Sequence, residues 1–446
     1  HHEEVMKLGK NPWLLLLSTT LASSLVPFLT SSTSIALPFI ARELNISYST
    51  ANWINNFFLI PLSALVLIAG RIGDWVGRGK IYLLGLALFA ASSALAMVPI
   101  NSIYWLFPDR AVQGISGALV TSVAVALISE AFPPSMRGRV IGINTMAVYV
   151  GLSLGPLLGG ALTSSLGWRS IFLFSLAISA ISFLFGLKAL SLERGVLERP
   201  PFLKGFLFAC STALIATGAS VMQRAAIGGG IALLGALAFI SIMLAERGRG
   251  ELLHRKLFTS RLMMSYSAAM LNYSATFALT VLLSLYLEEI RGMSPMEAGA
   301  ILTVQPVIQA ILSPVAGLLA EKVDPSLIAT FGMGIIAIAI ASLLPIISTS
   351  GISVLYLSLI LLGIGFALFA SPNTTAIVYL TPREAYASSL AFLATMRYFG
   401  QSISTSIITS VEAIVPYLKS SLYISLEIYI ALSVLGTLLS FLARRR

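Results

Sequence analysis

The chain has 446 residues, of which 57% are hydrophobic and only 10% charged, with a mean hydropathy of +0.92. Soluble proteins carry about 25% charged residues, so this composition excludes a cytosolic enzyme, a disordered scaffold and a nucleic-acid binder. The net charge of +10 comes from basic residues set between long apolar runs rather than from a continuous basic face, as at the rim of a membrane protein. Cys210 is the sole cysteine, and His254 the sole histidine beyond His1 and His2. No disulfide framework, metal site or Ser-His-Asp constellation is expected from so few groups, and no cofactor.

A bilayer core about 30 Å thick takes roughly 20 apolar residues as a helix. Apolar runs predict spans at 13–39, 51–70, 80–99, 103–129, 140–162, 169–189, 204–222, 225–245, 262–287, 298–320, 326–348, 353–378, 386–411 and 420–443. The first is expected to be retained, because it is long, is interrupted by Pro27 and lacks a small-residue cleavage pattern. With both termini on one side, Lys and Arg divide about four to one in favour of that side. The expectation is a multi-pass protein of the cell membrane with cytoplasmic termini.

Polar stretches from Leu190 to Pro201 and from Glu246 to Ser260 flank the seventh and eighth spans. They divide the chain into a six-helix bundle at 1–189, a linker with two inserted spans at 190–261, and a second six-helix bundle at 262–446. The inserted pair has no evident chemistry and is expected to lie outside the bundles. Gly70 and Asp74 are echoed by Gly317 and Glu321; Pro134, Arg137, Thr145 and Met146 are echoed by Pro382, Arg383, Thr395 and Met396. Several pairs in order argue for an internal repeat, and related halves around a central site are a recurrent transporter architecture.

Three stretches and a set of scattered polar residues carry the chemistry. The loop after the second span runs from Gly70 through Asp74, Gly77 and Arg78 to Lys80. Its glycines permit a sharp turn, and its charges suit either a solvated loop or a conformational latch. The fourth span holds Asp109, Arg110, Gln113 and Gly114. A charge at mid-membrane costs about 2.5–3.5 kcal/mol and usually faces a cavity or partner, although both charges lie close enough to the outer end to snorkel. In the fifth span Gly151, Gly155 and Gly159 recur every four residues, beside Pro156 and Gly160, and favour close helix contact. Polar and aromatic residues inside spans outline a cavity: Asn55, Asn56, Gln113, Asn144, Tyr149, Asn272, Tyr273, Gln305, Gln309, Asn373, Arg397 and Gln401. Each also suits a helix-to-helix contact.

These residues carry a resemblance. Gly70, Asp74, Gly77 and Arg78 resemble the G-x-x-x-D-R-x-G-R-[KR] signature of the major facilitator superfamily, with Trp75 in place of the common Arg and Lys80 one residue late. Arg110, Gln113 and Gly114 resemble its R-x-x-Q-G motif. The fifth-span string resembles the G-x-x-x-G-P-x-x-G-G motif of its drug-exporting, antiporting branch, and Gly167-Trp168-Arg169 continues it. Tyr286-Leu287-Glu288, Gly363-Ile364-Gly365, Ser371-Pro372-Asn373 and the run from Thr395 to Gln401 look like fourteen-helix drug:proton antiporters.

The resemblance implies an all-α polytopic fold of two pseudo-symmetric six-helix bundles plus a two-helix insert. It implies that Asp74 sits near the start of the thirteenth span, beside Glu384 and Tyr386, while Arg78 pairs with Glu130, and that these contacts break when the protein opens inward. One departure stands out. Such exporters carry an aspartate in the first span before an A-L-P sequence, but here Leu29 precedes Ala36-Leu37-Pro38 and no acid lies in that span. Proton coupling then falls to Asp109 beside Arg110, or next to Glu427. The implied activity is proton-coupled efflux of hydrophobic or amphipathic compounds by alternating access, by a monomer. Its partners are then a small molecule, protons and the lipid bilayer, with no nucleic acid. The competing reading is a same-fold transporter of a metabolite, sugar or lipid, by uniport or another coupling.

Overall fold

The computed structural model describes residues 11–100, 102–191, 200–348, 351–382 and 385–444. It is all-helical, with fourteen long helical segments among the described residues. The first six are α1 (Pro12–Glu43), α2 (Tyr48–Val76), α3 (Arg78–Ala96), α4 (Ile103–Ala131), α5 (Pro134–Leu166) and α6 (Ser170–Ala189). Next come α7 (Phe202–Ser220) and α8 (Ala225–Arg249). The last six are α9 (Ser260–Ile290), α10 (Pro295–Ala320), α11 (Pro325–Ile347), α12 (Ile352–Leu380), α13 (Tyr386–Ile414) and α14 (Leu418–Leu442). Side-chain caps start several of them: Asn11 accepts from the Leu14 N–H, Ser47 from Thr50, and Ser294 with Glu297 forms a reciprocal capping box at α10. α9 is not one continuous α-helix; it breaks at Phe277–Ala278 and ends in a π-turn over Tyr286–Ile290.

The two halves repeat one packing plan. In the first, α1 packs on α5 and α6, and α4 and α6 both pack on α3, with α2 beside α4. In the second, α9 packs on α13 and α14, and α12 and α14 both pack on α11, with α10 beside α12. Every pairing shifts by eight helices, the six of the first half plus the inserted two. Buried hydroxyls tie each bundle together from within: Ser18 bonds Tyr82 at 2.8 Å to join α1 to α3, and Tyr266 bonds Ser389 at 2.6 Å to join α9 to α13.

Thirteen of these segments are long and apolar enough to cross a membrane; α13 is the exception. It carries Ser and Thr at nine positions together with Arg397, Gln401 and Glu412. The physical reason is enclosure: α13 is wrapped by α2, α7, α9 and α14, so few of its side chains need to match lipid.

The inserted pair lies beside the bundles, with one of its helices in contact with both. α8 is largely exposed, but α7 packs against both α2 and α13. Gly205 of α7 sits where a Cβ would come within 2.3 Å of Ile68 on α2, and Ser220 Oγ bonds Ser406 Oγ of α13 at 2.8 Å. Lys204 then ties α7 to the end of α8 through Glu246 at 3.1 Å and to Glu251 beyond it at 2.8 Å. That last hydrogen bond holds the Glu251 carboxyl below the usual carboxylate range.

Candidate functional site

A cavity of about 290 Å³ lies at mid-height between the two bundles. Its walls come from α1, α4 and α5 of the first half and from α9, α10, α12 and α13 of the second. Helical periodicity aims the polar residues inward in pairs four apart: Gln305 with Gln309 on α10, and Arg397 with Gln401 on α13. Gln305 Nε2 donates to Gln309 Oε1 at 3.4 Å, and Arg397 Nη2 donates to Thr374 Oγ1 at 2.6 Å. Tyr149, Tyr273 and Tyr398 face the same space, and Asn144 lines it while accepting from Ser23 Oγ at 2.9 Å.

Other expected members lie elsewhere. Asn56 sits at a three-helix junction, donating to Ser220 Oγ at 3.1 Å and to Thr409 Oγ1 at 3.0 Å. Gln113 is buried inside the first bundle, accepting from Arg110 and donating to Ser93 Oγ at 2.9 Å. Asn272 points at Met333 Sδ and Asn373 at the Ser265 carbonyl, each at 3.3 Å. Their partners are helix-to-helix contacts, and none of the four lines the cavity. Asn55 likewise donates to Ser34 Oγ at 3.3 Å.

The cavity is sealed on one side. We call the face that carries Pro12 and Leu442 the terminal face, and the opposite one the distal face. Near the distal face Ser49 Oγ donates to the Thr409 carbonyl at 2.8 Å, Ser284 Oγ lies 3.4 Å from the Ile35 carbonyl, and the Met296 N–H donates to Ser164 Oγ at 3.1 Å. The α5 motif builds much of this seal. A Cβ at Gly151, Gly155 or Gly159 would meet α1 at 2.5–2.6 Å. One at Gly160 would meet the Pro295 carbonyl of α10 at 2.3 Å, while Gly299 of α10 packs on the Pro156 carbonyl. Toward the terminal face the lining continues through Thr121, Ala124, Val125, Asn144 and Val148.

The distal seal also holds acids that the expected span ends left out. Glu288 and Glu412 fall one residue beyond the predicted ninth and thirteenth spans; Glu288 enters the expectations only within the Tyr286-Leu287-Glu288 stretch, and Glu412 not at all. In the structure both helices continue past them. Glu288 is 3% exposed. Its Oε1 accepts from Ser284 Oγ at 2.9 Å, while its Oε2 has no hydrogen-bond partner and lies 3.8 Å from Arg42 Nη2. Glu289 lies 3.5 Å from Arg42 Nε, and Asn52 Nδ2 donates to Glu412 Oε2 at 3.4 Å. Three carboxylates from the second half thus meet one cation and one amide from the first.

Asp109 and Arg110 share a turn of α4 but not a partner. Arg110 is fully buried, donates to the Ile54 carbonyl and to Gln113, and lies 4.4 Å from the centre of the Phe58 ring. Asp109 is 7% exposed, and neither carboxylate oxygen has a hydrogen-bond partner. Glu427 lies on the exposed face of α14, away from the cavity.

At the α2–α3 turn, Gly77 adopts φ +119°, and Arg78 Nε donates to Asp74 Oδ1 at 2.6 Å. Arg78 Nη1 also bonds Glu130 on α4. Gly70 and Lys80 flank this cluster. Asp74, Arg78 and Glu130 all belong to the first bundle, so the cluster braces α2, α3 and α4 and cannot alone clamp one half to the other. Glu384 and the Tyr386 side chain, the expected opposite side of the latch, lie outside the described residues.

A family model described as Major Facilitator Superfamily matches residues 19–405. The chain belongs to the major facilitator superfamily. It is a multi-pass membrane protein and a secondary transporter of that type for a small molecule. Among relatives, the riboflavin transporter RibZ of Clostridioides difficile (strain 630) is 28% identical over 409 residues, covering 90% of this chain and 88% of its own. The tetracenomycin C resistance and export protein of Streptomyces glaucescens is 27% identical over 421 residues, covering 91% and 77%. A peptide transporter POT solved in complex with sulfate superposes with a TM-score of 0.74 at 16% identity, covering 99% of this chain and 97% of that one. That likeness bears on the fold of this superfamily member.

Proposed function

We propose that this superfamily member is a proton-coupled exporter of amphipathic compounds working by alternating access, of the fourteen-helix drug:proton antiporter type. The observation that carries the reading is the mid-height cavity between two bundles of equivalent packing, closed among the described residues by the distal seal. A rocking motion that breaks the distal seal and joins the terminal ends exposes the same cavity to the other side. The bundles at 1–189 and 262–446 are its moving parts, with the segment at 190–261 between them. The basic rim supports placing the terminal face on the cytoplasmic side of a cell membrane, and the distal seal then supports reading this as the inward-facing state. The export protein of Streptomyces and the glycine-proline motif of α5 support the outward direction. A single chain contains the whole cavity, so a monomer suffices.

Proton coupling is assigned to Asp109 and its neighbour Arg110, joined by Glu288 and Glu412 of the distal seal. Glu427 drops out because its carboxylate faces away from the bundle. Gly70, Asp74, Gly77, Arg78, Lys80 and Glu130 serve the gate at the terminal face. Purified protein in proteoliposomes tests the reading: an imposed pH gradient should drive uphill accumulation of a lipophilic dye, and a protonophore should abolish it. Dye movement that ignores the gradient overturns the proton coupling. The second reading, entry of a neutral aromatic metabolite, is favoured by the riboflavin transporter among the relatives. Accumulation of riboflavin in the opposite direction under the same gradient would select it.

A further inference from the structure

The charge balance of the cavity goes further than its position. We propose that the cavity selects anionic or uncharged carbonyl-rich aromatic compounds and rejects cations, with Arg397 as the residue that sets this preference. The inference rests on the reading of this cavity as the transport site and narrows its substrate class.

Among the described residues lining the cavity, Arg397 is the only charged one. The buried and half-buried acids near it lie outside that lining, and the fully buried Glu246 is paired with Lys204. Asp109 belongs to the α4 segment behind it, while Glu288, Glu289 and Glu412 sit in the distal seal. Arg397 forms no ion pair among the described residues; its partner is the neutral Thr374 hydroxyl. A guanidinium has five donors in a planar fork suited to carboxylate and carbonyl oxygens. A second observation points the same way. Gln309 is 1% exposed, its Oε1 is taken by Gln305, and its Nε2 has no hydrogen-bond partner. The lining therefore offers one buried donor that lacks an acceptor, Gln309 Nε2, beside the half-buried Arg397 guanidinium, and a ligand rich in oxygen acceptors suits both. Tyr149, Tyr273 and Tyr398 add ring faces, and Tyr273 meets Phe366 edge-on at 5.3 Å, so a flat aromatic body has surfaces to stack on.

The electrostatic size of the effect is set by Coulomb's law. At about 6 Å and an effective dielectric near 20, like-charge repulsion corresponds to about a hundredfold loss of affinity, and attraction to a similar gain. Water in an open cavity weakens both, which leaves a discrimination of at least about tenfold.

The test uses two xanthene dyes of similar size, anionic fluorescein and a cationic rhodamine, binding to the full chain in detergent and read by fluorescence anisotropy. The wild type should bind fluorescein at least about tenfold tighter. Arg397→Lys should keep the preference, Arg397→Gln should lose it, and Gln401→Glu, which adds a carboxylate to the same wall, should shift it toward the rhodamine. A merely structural Arg397 predicts equal loss for both dyes in Arg397→Gln and no gain in Gln401→Glu. Equal binding of both dyes by the wild type, a preference for the rhodamine, or an unchanged preference in Arg397→Gln overturns the proposal. Binding needs no gradient, so failure of proton-driven accumulation leaves this result standing, and the converse also holds.

Discussion

Adjacent positions on α4 show what burial does to a single charge. Arg110 donates to a carbonyl and an amide and lies over an aromatic face, leaving its Nη2 without a hydrogen-bond partner, whereas neither oxygen of the Asp109 carboxylate next to it has one. An isolated intramembrane carboxylate is costly unless a proton removes its charge, and that cost is the reason to expect coupling here. Asp109→Asn should abolish accumulation driven by a pH gradient while sparing counterflow exchange of substrate; unchanged coupling would show that the proton rides elsewhere, with Glu288 and Glu412 next to be tested. Which polar residues face the cavity was only partly legible in the chain. Asn272 and Tyr273 look equally eligible as a string, yet successive residues point about 100° apart on a helix. Tyr273 reaches the cavity while Asn272 turns to α11. Polarity can be read from a sequence, but rotation about a helix axis is fixed by packing.

Helices were legible as elements, and their ends were not. Thirteen of the fourteen predicted runs match helices apolar enough to cross lipid, which demands about 20 apolar residues wherever a helix meets it; α13 was legible by its length despite its polar, enclosed faces. Charges at the ends obey no such demand, so Glu288 and Glu412 fell just outside the expected spans even though both sit inside a protein interface. The α5 glycines were legible as a packing stripe, but only the fold shows that they serve two partners, α1 within the bundle and α10 across the seal. Gly159→Val would put methyl groups against the Ser32 backbone, where a Cβ alone already comes within 2.6 Å. Overpacking of this kind costs about 1–3 kcal/mol. The variant should melt at lower temperature and label faster at a cysteine placed at Ser164, while the same substitution at exposed Gly230, which has open space around it, should do neither. Equal labelling in both would mean that the stripe has no part in closing the distal face.

At the scale of the molecule, the equivalence of the two halves and the distal seal make a single mechanical statement. If the bundles rock, a bond across the distal face must arrest them. Cysteines at Ser164 and Met296, in a chain with Cys210 replaced by Ser, should cross-link because the Met296 N–H already touches Ser164 Oγ at 3.1 Å. Transport should fall to background on oxidation and return on reduction; undiminished flux through the oxidised protein would rule out rocking at this interface. The placement of α7 carries a further consequence. Its Ser220 joins Asn56 on one bundle to Ser406 on the other, and Ala219 and Met222 grip Ser410 beside it. Whatever separates α2 from α13 must therefore stretch or shed this strap. If the bundles rock, the extra hairpin would act as a spring in parallel with the hinge, limiting how wide the mouth opens and hastening its return.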